Sequence, residues 1–306
     1  MSVLAIIAAL VIEQWRPLGE RKGVSAALAA WAAWLERSFN GGERRHGTLA
    51  WLVAVVPPVA AAIVLHALLS AAGGLLALAF DVALLYLTLG FRQFSHYFTD
   101  IQLAIKSGDL ERARALLEQW RGASGVVHTR EEVIRLAIEQ ALVAAHRHVF
   151  GVLLWYLLLP GPSGALLYRL AAYLASRWRE MGGFGRFAQQ AFHVLEWPAV
   201  RLTATAFALV GDFENTVYCW RTQARTWPDP DAGIVLAAGA GAMGVRLGMP
   251  LQEVDGMQPR PELGVGEQAD GPFLDSTVGM LWRALVLWVG VLVGAQVVGY
   301  ISRLSG

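Results

Sequence analysis

Charge is scarce in this 306-residue chain: Asp, Glu, Lys and Arg make up 16% of it, against 56% hydrophobic residues. Soluble domains carry roughly 25% charged and about 45–50% apolar residues, so the deficit points to a membrane protein. The net charge of +1 leaves no excess of cations for a phosphate backbone, which excludes a nucleic-acid partner. Cysteine is reduced to Cys219 alone. That excludes an intrachain disulfide and a Cys-based zinc site, and Cys219 reads as a small residue packed beside Trp220. Nucleophile elbow, Walker loop, HExxH and CxxC spacings are all missing, so the motif-borne hydrolase, P-loop and zinc chemistries have no foothold. What is abundant is tryptophan, twelve residues, in a chain of mean hydropathy +0.45. Indole prefers the membrane–water interface.

Taken in order, Val3 to Ile12 is a short apolar run that reads as a retained first membrane helix; no positive n-region precedes it and no small-residue cleavage site follows. Within 16–45, AALAAWAAWLERSF places Leu28, Trp31, Trp34 and Leu35 at helical spacing, which suits a helix lying on the membrane or on the protein's own core. Leu49 to Ala72 is long enough to cross roughly 30 Å of hydrocarbon and carries Pro57, Pro58 and His66. After Gly73-Gly74 the chain returns over Leu75 to Phe91, with Asp81 inside the span. Arg16, Arg21, Lys22, Arg37, Arg44 and Arg45 precede this pair, and Lys106, Arg112, Arg114, Arg121, Arg130 and Arg135 follow it. Both loops therefore fall on one side, which the positive-inside rule makes cytoplasmic.

Residues 92–148 read as a cytoplasmic helical insertion, in which Thr129 and Glu132 fit a capping box. His96 and Asp100, four apart, read as a structural pair. Pro198 is expected to end the helix begun near Phe187, 248–275 to be a flexible loop, and 279–301 to be the C-terminal transmembrane helix.

The chain is organised around Glu139 to Arg169. A basic end, His146-Arg147-His148, enters the apolar run Val149 to Leu159, which breaks at Pro160-Gly-Pro-Ser-Gly164 and resumes toward Arg169. Proline lacks an N–H and clashes with the preceding turn, so a re-entrant hairpin or a broken spanning helix is expected, with irregular backbone lodged in protein or a wet cavity. The fold class is all-α: a polytopic integral membrane protein with this hairpin and a cytoplasmic helical layer. Arg147, Arg169 and Arg201 offer planar forks for a phosphate or carboxylate, with snorkelling to the headgroups as the alternative. Glu139 and Glu196 are their candidate partners or bases; His146, His148 and His193 complete the candidate ligand-binding set. His146 and His148, two apart, fall on different helix faces, so no metal ligand set is assigned.

Three stretches resemble the CobD/CbiB family of membrane proteins: GPSGALLYR (161–169), SGDLERARALL (107–117) and PDPDAGIVLAAGAGAMGVRLGMP (228–250). That resemblance implies a cobalamin-pathway synthase that joins an aminopropanol-type side chain to adenosylcobyric acid with ATP. Its cofactors would be Mg-ATP and a corrinoid. The chain departs from the family at its acids. The Asn-Thr-x-Asp motif falls on Ala172, Tyr173, Leu174 and Ala175, the paired aspartates on about Phe192 and His193, and an Asp-Gly pair near Arg147 and His148. The N-terminal Gly-Asp-Pro…His-Pro motif is replaced by VIEQWRPLGER (11–21). Mg²⁺ favours hard oxygen ligands, which these replacements remove. They resemble instead the related AmpE, an inner-membrane partner in the response linking cell-wall recycling to β-lactamase induction, in VIE…LGE and in HVLEWPAVRLTATAFALVG (193–211). The expectation is therefore a bacterial inner-membrane, AmpE-like binding or signalling factor, leaning away from an enzyme. Its partners would be the bilayer and an anionic small molecule of phosphorylated, corrinoid or muropeptide type, with a homo-oligomer left open. The alternative is the synthase, and a transporter built on the broken helix is a weaker third.

Overall fold

A computed structural model describes residues 2–15, 22–122, 129–253 and 256–304, and these are almost wholly helical. In chain order the helices are α1 (Ser2–Trp15), α2 (Lys22–Phe39), α3 (Arg44–Ala72), α4 (Gly74–Thr88), α5 (Phe91–Lys106), α6 (Leu110–Arg121) and α7 (Arg130–Ala145). After a π-turn at His146–Phe150 come α8 (Gly151–Leu158), α9 (Ser163–Arg177), α10 (Gly182–Val210), α11 (Phe213–Gln223), α12 (Pro230–Met243) and α13 (Gly271–Leu304). Arg16 and Arg21 of the N-terminal basic loop, and the 16–21 half of VIEQWRPLGER, lie outside the described residues. Among the described residues, three helical stretches are long and apolar enough to cross a membrane: Arg44–Ala72, Arg130–Leu158 and Gly271–Gly294. The chain is an all-α membrane protein.

The backbone divides into two compact units, Met1–Gly90 with Arg147–Pro198, and Phe91–His146 with Ala199–Gly306. In the first unit α1 packs on α4, α3 on both α4 and α9, and α8 on α9. Its core gathers Ala32 and Leu35 of α2, Ala50, Ala54 and Val55 of α3, Leu174 of α9, Trp178 just past its end, and Phe184 of α10. The face expected on α2 therefore splits. Leu35 is buried in the core, while Trp31 and Trp34, 41% and 45% exposed, stack on each other at 5.2 Å. α3 runs unbroken through Pro57 and Pro58, as neighbours in a membrane protein permit.

α10 also runs unbroken through Pro198, where a helix end was expected. The Trp155 indole N–H donates to the carbonyl of Leu195 at 3.0 Å. A neighbouring helix thus supplies a donor in the turn that the proline deprives of one, which is how Pro is tolerated inside such helices.

In the second unit α12 is buried along almost its whole length and packs on α11 and α7. Gly239 lies against Leu142 and Gly241 against the Asn215 carbonyl, where any Cβ would collide, the close approach that small-residue helices serve. The Thr129–Glu132 capping box opens α7. The segment expected to be a loop at 248–275 instead holds short ladders. The strands are β1 (Val245–Gly248), β2 (Leu251–Glu253), β3 (Gly256–Gln258), β4 (Glu262–Leu263) and β5 (Glu267–Gln268). β1 pairs antiparallel with β4 and parallel with β5, and β2 antiparallel with β3. Pairing satisfies the backbone of a Gly- and Pro-rich segment whose Leu247, Leu251 and Leu263 are buried. α13 begins at Gly271, ahead of the expected 279.

Candidate functional site

The break at 160–164 forms as its residues dictate. α8 ends at Leu158 and α9 begins at Ser163, with Gly161 at a positive φ of 57° and the Ser163 hydroxyl donating to the Pro160 carbonyl at 2.7 Å. A Cβ on Gly164 would strike the Trp155 carbonyl, and one on Gly151 the Tyr168 ring. These two glycines let α8 and α9 close on each other and seat Tyr168 and Arg169 at fixed positions. Just before α8, the π-turn at His146–Phe150 widens the helix at its basic end; such bulges occur often at functional sites.

Around the hairpin the first unit assembles one polar cluster. Tyr168, fully buried, donates to Oε1 of Glu196, which is 1% exposed. Arg147 Nε stands 3.9 Å from Glu196 Oε2, and its guanidinium lies 6.0 Å from the Phe192 ring. Arg169 Nη1 donates to Nδ1 of His148 at 2.9 Å. Guanidinium can only donate, so this His148 nitrogen is the unprotonated acceptor. Among the described residues the cluster sets the guanidiniums of Arg147 and Arg169 near the buried Glu196 carboxylate, and such planar forks suit an anionic group.

His193, on α10, is exposed. Glu139, His146 and Arg201 belong to the second unit, where Glu139 and His146 have partners of their own. His146 Nδ1 bonds the Thr203 hydroxyl at 2.9 Å. Glu139 Oε1 accepts the Gly248 N–H at 2.8 Å, and Oε2 accepts Arg260. Arg260 lies over the Trp227 ring at 4.7 Å. Both flank a cavity of about 290 Å³ whose lining also includes Arg121, Gln140 and Pro228. Sequence reading did not find Arg260, because nothing local ties it to Glu139, 121 residues earlier.

A third polar cluster was half legible. His66 and Asp81 each stand seven residues from the Gly73–Gly74 turn, so an antiparallel α3/α4 pair brings them level. His66 Nδ1 and Asp81 Oδ1 are 2.8 Å apart. Tyr156 of α8 donates to Asp81 Oδ2 at 3.2 Å, and Gly161 lies against the His66 ring. A buried carboxylate in an apolar helix pair is thereby satisfied, and the hairpin is tied to the pair. Cys219 is buried, as a small packed residue is expected to be, and burial pushes its thiol up, which disfavours the reactive thiolate.

The donor set around Glu196 does not suit Mg²⁺. The ion binds through carboxylate oxygens and phosphate, whereas both Glu196 oxygens face a phenol or a guanidinium. Among the described residues no three acids, histidines or cysteines group as a metal site.

Comparison with known proteins gives a consistent result. The family model described as CobD/Cbib protein matches residues 6–280. A protein of Stutzerimonas stutzeri named Cobalamin biosynthesis protein CobD is 34% identical over 301 residues, covering 95% of this chain and 97% of its own. A protein of the same name from Chromobacterium violaceum is 38% identical over 232 residues, 72% and 74% of the two chains. One from Brucella melitensis is 24% identical over 291 residues, 87% of each. No solved structure matches the chain.

Proposed function

Because this chain belongs to the CobD/CbiB family, we propose that it works in cobalamin biosynthesis as the amide-forming protein that attaches an aminopropanol-type side chain to a corrinoid. One observation carries the reading. Similarity extends over nearly the whole chain to proteins named for cobalamin biosynthesis, and it takes in the Gly-Pro hairpin that seats Tyr168 and Arg169. In the step itself a bond forms between the amine nitrogen and the corrinoid carboxyl carbon, the nitrogen gives up a proton, and the carboxyl C–O bond breaks with the oxygen leaving on the phosphoryl group that ATP donates. ATP enters as a co-substrate, as the resemblance implies; the Glu196 donor set does not suit Mg²⁺, so no step is routed through the metal. Arg147 and Arg169 hold an anionic group of a substrate. Glu196 and Tyr168 hold Arg147 in place. The protein resides in the bacterial inner membrane with its basic loops on the cytoplasmic side, where the corrinoid and nucleotide are found.

The AmpE-like reading uses the same arginines for binding without chemistry. The names of the relatives favour the synthase over it. Complementation separates the two. Expressed in a strain lacking the side-chain step, the chain should restore growth that depends on that step, and the Arg147→Ala/Arg169→Ala variant should restore it poorly. A membrane-inserted protein that gives no rescue sinks the synthase reading. Retained binding of a muropeptide by that same protein would then support the AmpE-like one.

A further inference from the structure

In the first unit, the turn from α2 into α3 lies beside the turn from α9 into α10. A Cβ on Gly183 would strike the Gly42 carbonyl, and one on Gly47 the Phe184 carbonyl. The Arg44 guanidinium donates across to Gln190 at 2.7 Å. Two basic stretches are thereby held side by side: Arg37, Arg44 and Arg45 around one turn, Arg177, Arg179 and Arg186 around the other. The acids among them are Glu36, Glu43 and Glu180. Glu36 is taken up by Arg177 and Trp178, and the other two are exposed. Among the described residues Arg37, Arg45, Arg179 and Arg186 are all exposed and form no ion pair. The surface keeps a positive excess that its own packing does not use.

The height of this surface against a bilayer is marked twice. α3 is one of the stretches able to span. Its exposed Leu49, Leu52 and Val56 share one face at helical spacing, and that stripe begins four residues after Arg45, about 6 Å along the helix. The arginines stand where a hydrocarbon-facing stripe gives way to headgroups. On α2, Ala32 and Leu35 are committed to the core, which leaves the stacked Trp31 and Trp34 on the outer face. Indole favours the same interface.

A guanidinium fork matches phosphate oxygens, and cations clustered at the end of a spanning helix attract anionic lipid. We propose that this surface docks the phosphodiester headgroups of anionic phospholipids, with Arg37, Arg45, Arg179 and Arg186 as donors and Trp31 and Trp34 seated among the neighbouring headgroups. It is separate from the Arg147–Arg169 cluster and does not depend on the synthase reading. The test is native mass spectrometry of the purified full chain, released from detergent after incubation with phosphatidylglycerol and phosphatidylcholine in equal amounts. Phosphatidylglycerol adducts should dominate, and their apparent Kd should rise about tenfold or more in Arg37→Gln/Arg45→Gln/Arg186→Gln. Arg112→Gln/Arg221→Gln/Arg225→Gln removes the same charge from exposed positions of the second unit and should bind as the wild type does. All six positions are exposed, so both variants should fold. No preference for phosphatidylglycerol overturns the proposal, as does unchanged binding in the first variant. Equal weakening in both variants assigns the effect to net charge and overturns it too. Displacement of the lipid by an equal concentration of inorganic phosphate would make this a free-anion site and contradict lipid docking.

Discussion

Removing Arg147, then Glu196, then both measures a coupling energy that the geometry sets in advance. Arg147 Nε and Glu196 Oε2 are 3.9 Å apart. Two unit charges near 4 Å attract by about 4 kcal/mol at an effective dielectric constant of about 20. The Glu196 side chain is 2% exposed and that of Arg147 29%, so solvent screens one end of the pair. Cutting the attraction roughly in half leaves a coupling of about 1–3 kcal/mol, above the roughly 0.2–1 kcal/mol of exposed pairs. Arg147→Ala should cost more stability than Glu196→Gln, because it takes a positive charge away from a buried carboxylate, whereas glutamine keeps an acceptor for Tyr168. The assay is reversible unfolding of the full chain, both single variants and the double variant, in one detergent at low and high salt. Coupling should survive added salt, since the carboxylate is shielded from ions. Additivity within about 0.5 kcal/mol, or a Glu196→Gln variant weaker than Arg147→Ala, refutes the pairing.

Three further outcomes follow from local geometry. Gly164→Ala drives a methyl into the Trp155 carbonyl and should cost about 1–3 kcal/mol, while Gly290→Ala on α13, whose Cβ meets nothing within 4 Å, should be neutral in the same unfolding assay. Burial pushes the Glu36 carboxyl up, but hydrogen bonds from Arg177 at 2.6 Å and Trp178 at 2.9 Å outweigh it and hold the carboxyl below its usual 4.5. Glu36 therefore stabilises fully above about pH 4.5 and less as pH falls through its lower folded value; the gap between wild type and Glu36→Gln should be flat from about pH 7 to 5 and shrink below, and a gap that widens on acidification contradicts the pair. Cys219, buried with its thiol pushed up, should resist alkylation at neutral pH until the protein unfolds; rapid labelling of folded protein would contradict its burial.

What was legible in the sequence was carried by local rules. The Pro-Gly-Pro break, the Thr129–Glu132 box and the apolar α3/α4 pair each rest on residues close together in the chain, and each forms as expected. Pro198 misled because the local rule assumes water around the helix end, whereas Trp155 reaches the affected turn from another helix. The strands within 245–268 escaped notice because runs of two to four residues show no periodicity. The candidate set Glu139 to Arg201 was drawn as one constellation. Arg147, His148, Arg169, His193 and Glu196 fall in one unit, and Glu139, His146 and Arg201 in the other. Helical spacing finds neighbours within an element, and it has no means to show that Glu139 meets Arg260 or that Tyr168 meets Glu196 across long stretches of chain.

The central claim is that this hairpin-bearing membrane protein joins an amine to a corrinoid carboxyl. The most direct measurement is the mass of the corrinoid that accumulates when the chain is expressed in a strain lacking the side-chain step and supplied with adenosylcobyric acid and the amine. Formation of the amide, with the mass of both substrates less one water, is the outcome predicted. Adenosylcobyric acid recovered unchanged, with the protein present and inserted in the membrane, would contradict it.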